Sequence, residues 1–253
     1  MSINSHLNEV LKELLSKPSE IINNQQLIHC IDLTLLNEQA SQNDLITLNH
    51  LANKYTVAAV CVYPKDLVHF KPSSAIDLAT VVNFPQADET LSTCIKQINL
   101  GIQNGVKEID YVVPYMSYLQ GKRQQTIQHA TEIAAYCKEH KLTLKIILET
   151  GAFTDLNILN DLALELLALD LDFLKTSTGK ISQGASLSAV FTLLSAIKDS
   201  GKNCGIKISG GIKTVEQAKN HAYLAQFLMN KAIEKSWFRV GASSLLKELT
   251  KTN

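Results

Sequence analysis

Along the chain, short runs rich in Val and Ile alternate with longer stretches in which apolar residues recur every three or four positions. The runs read as strands and the stretches between them as helices. Eight runs qualify: Leu27 to Leu35, Ala58 to Tyr63, Leu78 to Phe84, Glu108 to Val113, Leu144 to Glu149, Phe173 to Ser177, Gly205 to Ser209 and Phe238 to Ala242. Their starts lie 31, 20, 30, 36, 29, 32 and 33 residues apart, close to the size of one βα unit. Leu159, Leu162, Ala163 and Leu166 mark one helical stripe, and Val190, Leu193, Leu194 and Ile197 another. Thr214 and Gln217 fit a capping box at the start of the seventh helix. Ahead of the first strand, Leu7, Val10, Leu11, Leu14 and Leu15 sit at helical spacing, so residues 1–26 are expected to form a helical extension. That extension has no signal-peptide apolar core, and no window of the chain approaches the roughly 18 uninterrupted apolar residues of a spanning helix.

Eight βα units without a linker or a break in composition close most economically into a parallel (β/α)8 TIM barrel, one domain over residues 1–253. An open doubly wound sheet is the alternative, but no G-x-G-x-x-G follows its first strand. Composition narrows the function. With 45% hydrophobic and 19% charged residues the chain is neither disordered nor built for a membrane. Its 24 basic and 24 acidic residues cancel, which argues against nucleic acid or anionic lipid as a partner. A small molecule is the expected partner, and a homodimer is compatible with this reading. Only Arg123 and Arg239 are arginines, so a phosphate would be held chiefly by backbone amides and lysines. The five cysteines are scattered without a C-x-x-C, which suggests reduced thiols in the cytoplasm rather than a disulfide framework or a zinc site.

In a barrel of this kind, polar residues at the C-terminal ends of the strands read as functional. The sixth run ends in Lys175-Thr176-Ser177-Thr178-Gly179-Lys180, the seventh in Lys207-Ile208-Ser209-Gly210-Gly211 and the eighth in Gly241-Ala242-Ser243-Ser244. Side chains alternate along a strand, so Lys175 shares a face with Phe173 and Ser177, and Lys207 with Gly205 and Ser209. Ile206 and Ile208 suit the helix layer, which leaves both lysines inside. On adjacent strands about 4.8 Å apart, their amines would stand roughly 6 to 7 Å from each other, a repulsion of about 2.5 kcal/mol at an effective dielectric of about 20. Desolvation adds to it. A suppressed amine pKa is what a Schiff-base nucleophile requires.

Asp110 shares the parity of Val112 and also points inward, either to relay protons with Lys207 or to serve as a counter-ion. Asp32 and Thr34 are expected to support a hydrogen-bond network around Asp110 and Lys207. Lys145 and Glu149 show similar parity, and the sequence leaves their roles open. Gly210 and Gly211 allow amides to approach an anion, Ser243 and Ser244 sit at an expected helix N-terminus, and Lys213 adds charge nearby. Thr178, Gly179, Lys180 and Gly241 complete the expected binding rim. Cys61 is assigned to packing. The seven histidines show no H-x-x-x-H spacing, His29 and His221 read as structural or surface residues, and neither metal nor cofactor is called for.

These residues resemble the deoxyribose-phosphate aldolases, Schiff-base enzymes on a (β/α)8 barrel, over nearly the whole chain. The resemblance rests on I-D-L-T-L-L-N from Ile31, C-V-Y-P from Cys61, V-N-F-P from Val82, E-I-D-Y-V-V-P-Y from Glu108, L-K-T-S-T-G-K from Leu174, K-I-S-G-G-I-K from Lys207 and F-R-V-G-A-S-S from Phe238. It implies that Lys175 forms the Schiff base, that Lys207 lowers its pKa and that Asp110 relays protons. Gly179, Gly210, Gly211, Ser243 and Ser244 would line the phosphate pocket, with Lys180 beside it. The implied reaction is reversible cleavage of 2-deoxy-D-ribose 5-phosphate to acetaldehyde and D-glyceraldehyde 3-phosphate. The alternatives are an aldolase for another phosphorylated sugar and a noncatalytic sugar-phosphate binder. Two departures stand out: Lys213 replaces the arginine that often follows the Gly-Gly, and Lys251-Thr252-Asn253 lacks the terminal tyrosine of some relatives.

Overall fold

The computed structural model describes residues 3–16, 21–70 and 75–251. Eight parallel strands close into a barrel in sequence order: β1 (Ile31–Leu35), β2 (Ala59–Val62), β3 (Asp77–Val82), β4 (Glu108–Val112), β5 (Thr143–Ile147), β6 (Phe173–Lys175), β7 (Gly205–Ser209) and β8 (Phe238–Ala242). Ten α-helices accompany them among the described residues: α1 (Ile3–Ser16), α2 (Asn24–His29), α3 (Gln42–Tyr55), α4 (Leu91–Gln103), α5 (Tyr115–Leu119), α6 (Arg123–Glu139), α7 (Leu156–Leu167), α8 (Leu187–Ser200), α9 (Val215–Met229) and α10 (Leu245–Leu249). The expected (β/α)8 architecture is present, with three local corrections.

The first apolar run divides. Leu27 and Ile28 belong to α2, because Asn23 and Gln26 cap that helix reciprocally and only Ile31 onward enters the sheet. Among the described residues the second unit has no α-helix; a 3-10 turn, Pro64–His69, follows β2, in keeping with its short 20-residue spacing. The sixth strand stops at Lys175 rather than Ser177. There the Thr176 hydroxyl donates to the Ser209 carbonyl at 2.9 Å and accepts the Ser209 amide at 2.9 Å, so a side chain takes over from the ladder.

The helical stripes face inward as expected, with Leu159, Leu162, Ala163, Leu166, Val190, Leu193, Leu194 and Ile197 all buried. Thr214 and Gln217 form the capping box that opens α9. In α1, Leu7 and Val10 are buried and Leu11 packs against the core. Residues 17–20 and the Leu15 side chain lie outside the described residues. No helix among the described residues is long and apolar enough to cross a membrane.

Two cores result. The larger lies between the strands and the helices, while a small one inside the barrel comprises Cys61, Ala79 and Val81, with Leu36, Tyr63 and Phe84 against it. Beside it Asp32, Glu108, Asp110, Lys145, Lys175, Lys207 and Arg239 are buried together, and the site is built there.

Candidate functional site

Strand register sets the geometry. Lys175 pairs with Lys207 across β6 and β7, Lys207 with Arg239 across β7 and β8, and Asp110 with Lys145 across β4 and β5. All five point into the barrel and are buried. The Asp110 carboxylate collects three ammonium groups. Its Oδ2 accepts from Lys175 Nζ and from Lys207 Nζ at 2.6 Å each, and its Oδ1 accepts from Lys145 Nζ at 3.0 Å. The Lys175 and Lys207 nitrogens are therefore no farther apart than twice 2.6 Å, closer than strand spacing alone predicts. Lys207 and Lys145 also lie 2.6 and 3.2 Å from Asp32 Oδ2.

Beneath them Arg239 donates to Asp32 Oδ1 at 2.6 Å and to Glu108 Oε1 at 3.0 Å, and Glu108 also contacts Lys145. Gly241 makes room for this arrangement: a Cβ there would stand 3.0 Å from both Lys207 Cε and Ser209 Cβ.

Among the described residues this connected network holds four cations (Lys145, Lys175, Lys207 and Arg239) against three carboxylates (Asp32, Glu108 and Asp110). Buried charge without a matching counter-charge is costly, so the surplus is relieved most cheaply where a lysine gives up its proton. Lys175 has one carboxylate partner, whereas Lys207 has two and Lys145 three. Its pKa is accordingly lowered, by burial first and by Lys207 in addition, with Asp110 opposing both. Burial also works against charged Lys207 and Lys145, but their carboxylate partners overcome it and raise both pKa values. The expectation that repulsion from Lys207 chiefly suppresses Lys175 is thus corrected: desolvation leads, because Lys207 is itself largely neutralised by Asp32 and Asp110. Burial favours a neutral Asp110, and the three lysines together outweigh it, holding its pKa well below the usual carboxylate range.

Above Lys175 opens a cleft of about 270 Å³. Its lining includes every residue expected at the binding rim: Thr178, Gly179, Lys180, Gly210, Gly211, Lys213, Gly241, Ser243 and Ser244. Gly210 and Gly211 have φ of 90° and 86°, backbone that a side chain would strain. Ser244 stands at the N-cap of α10, although its hydroxyl makes no capping bond. Lys180 Nζ donates to the Leu36 carbonyl at 2.6 Å and ties the loop after β6 to the loop after β1.

Thr34 departs from the expected network. Its hydroxyl donates to the Asp32 carbonyl at 2.8 Å and the residue lines the cleft, so on β1 the carboxylate contact to the lysines comes from Asp32. Cys61 packs as expected; burial pushes its thiol up to about 11. His29 is exposed, and His221 is buried in α9. Two members of the network escaped the sequence reading, Arg239 and Glu108. Their signal was parity, since Glu108 lies two residues before Asp110 and Arg239 two before Gly241.

The sequence model of the DeoC/LacD family aldolases matches residues 26–251. The chain belongs to that aldolase family. It is 36% identical over 227 residues to a deoxyribose-phosphate aldolase of Agrobacterium fabrum, covering 87% of each chain. The aldolase also shares its fold with a structure from Coccidioides immitis (TM-score 0.79, 22% identity, 97% of both chains). A second neighbour is the tetrameric deoxyribose phosphate aldolase of Aeropyrum pernix (TM-score 0.75, 24% identity, 96% of both chains).

Proposed function

We propose that this aldolase cleaves 2-deoxy-D-ribose 5-phosphate reversibly to acetaldehyde and D-glyceraldehyde 3-phosphate, as a step in cytoplasmic deoxyribonucleotide catabolism, with the whole chain acting as one barrel domain. The observation that carries the reading is the place of Lys175, the one lysine of the buried network that lines the glycine-walled cleft, with Asp110 as its carboxylate partner and burial lowering its pKa.

The unprotonated Lys175 Nζ attacks the C1 aldehyde. A proton moves to the carbinol oxygen, water leaves, and an iminium forms. Asp110, with a water between, takes the proton of the C3 hydroxyl; the C2–C3 bond breaks and its electron pair flows into the iminium. D-Glyceraldehyde 3-phosphate departs. The remaining enamine takes a proton at C2 from the group formed by Asp110 and Lys207, and water hydrolyses the new iminium to acetaldehyde and free Lys175. The iminium is the electron sink, so the step needs no further cofactor. Lys207 holds Asp110 in place and keeps a second positive charge beside Lys175. Gly179, Gly210, Gly211, Ser243 and Ser244 would receive the phosphate, with Lys180 and Lys213 supplying charge.

Borohydride added with substrate is expected to inactivate the enzyme and to leave a reduced adduct on the peptide containing Lys175. An unlabelled Lys175 peptide in an enzyme that still turns over would refute the assignment. A noncatalytic binder would hold the sugar phosphate without cleaving it, and an aldolase of different specificity would cleave another sugar phosphate faster.

A further inference from the structure

Glu149 lies just past β5, is fully buried, and takes no part in the ion-pair network. Its backbone sits in the left-handed region at φ 53°, an unfavourable conformation for a non-glycine residue that persists only where the surroundings enforce it. They do so here: the Leu148 amide donates to the Lys175 carbonyl at 3.0 Å and the Thr150 amide to the Thr176 carbonyl at 2.9 Å, bracketing Glu149 against the loop that follows Lys175. The carboxylate then accepts both donors of one residue, the Thr178 hydroxyl and the Thr178 amide, the latter at 3.3 Å.

A threonine hydroxyl has one proton and two acceptor lone pairs. A carboxylate only accepts, so the Thr178 proton is committed to Glu149. One lone pair takes the Lys180 amide at 3.0 Å. Thr178 lines the cleft between Lys175 and Gly179, and what remains for the ligand is a single acceptor. We infer that Glu149 is a positioning residue that fixes the polarity of Thr178, so that the cleft selects a substrate with a hydroxyl donor between its reacting carbonyl carbon and its phosphate. This rests on the proposed aldolase reading and adds the origin of its preference for a hydroxylated acceptor.

Replacing Glu149 by Gln reverses the polarity. The Gln oxygen can accept the Thr178 amide while its NH2 donates to Oγ1, which turns the hydroxyl proton into the cleft. The experiment measures aldol addition of acetaldehyde to D-glyceraldehyde 3-phosphate and to 3-oxopropyl phosphate, the same acceptor without its 2-hydroxyl. The wild type should favour the hydroxylated acceptor in kcat/KM, and Glu149→Gln should reduce that ratio by about fivefold, the worth of one hydrogen bond. Reductive trapping of acetaldehyde on Lys175 should be unchanged. Thr178→Ser should keep the ratio and Thr178→Val should lose it, with Glu149→Gln adding no further loss on top of Thr178→Val.

An unchanged ratio in an active Glu149→Gln overturns the inference. Should that variant fail to fold, equal ratios in Thr178→Ser and Thr178→Val overturn it instead. A wild type that traps no acetaldehyde on Lys175 removes the aldolase reading first and this inference with it.

Discussion

Inside one barrel, two groups of lysines meet the same carboxylate and end in opposite states. On the floor, Lys145 is enclosed by Asp32, Glu108 and Asp110, and its pKa stands well above the usual lysine value. At the rim, Lys175 forms an ion pair with Asp110 and, among the described residues, with no other carboxylate, and its pKa falls. Both are fully desolvated, so burial by itself does not decide the outcome. The number of carboxylates within reach does. The floor is a balanced ion network that keeps charges where they are, and the rim carries the surplus that makes one amine a nucleophile. Lys207, with two carboxylates, stands between and belongs electrostatically to the floor.

The largest effect should come from the rim. Lys175→Leu is expected to lower kcat by about 10⁴-fold or more, since the covalent route is lost, while thermal unfolding stays close to wild type. A variant with appreciable activity would show that the nucleophile lies elsewhere. The floor should respond the other way. Arg239→Met leaves Asp32 Oδ1 and Glu108 Oε1 buried without their guanidinium donor, while Lys145 and Lys207 keep the other oxygens, and should cost about 3 kcal/mol of stability, seen as a lower denaturant midpoint. A wild-type midpoint would mean that the floor is not the balanced network described.

Lys207→Leu tests the boundary between the two. Without that ammonium, Lys175 loses a repelling neighbour and Asp110 has fewer competing partners, so the Lys175 pKa should rise. The amine is active when unprotonated, and the pH–rate profile of kcat/KM should therefore move to higher pH, with a loss of about 10²-fold near pH 7. A profile that keeps its position while activity falls would confine Lys207 to holding Asp110. Burial is the leading cause of the low Lys175 pKa, so activity should not vanish.

Much of this was legible in the residues. Apolar runs at nearly regular spacing gave the barrel, and parity along each strand placed Lys175, Lys207, Asp110 and Asp32 inside. Parity does not supply register, which comes from long-range strand pairing. Nothing local tells that Lys207 stands opposite Arg239 or that Asp110 Oδ2 is shared by two ammonium groups. Without the partners, the order of causes behind the Lys175 pKa was unreadable, and repulsion took the place that desolvation holds. The division of the first run was marked in the sequence by Asn23 and Gln26, the pair that caps α2, but a continuous apolar stretch from Leu27 masked it.

The smallest effect concerns a buried histidine outside the barrel, and it isolates what the floor contributes to acid stability. Among the described residues nothing bonds to Nδ1 of His221 in α9, and burial lowers its pKa to about 4 from 6.5. The folded state thus binds the proton less readily than the unfolded chain, so stability is complete above pH 6.5 and falls as pH drops toward 4. At pH 5.5 the loss is about 1 kcal/mol relative to pH 7.5. The floor carboxylates behave differently: Asp32 and Asp110 are held far below 3.8 by their lysines, so their contribution is retained until the pH falls through the unfolded carboxylate range. Chemical denaturation at pH 7.5 and 5.5 should therefore show the loss in the wild type and a flatter response in His221→Gln. Equal slopes in the two proteins would place the first acid-sensitive proton uptake outside both His221 and the floor carboxylates.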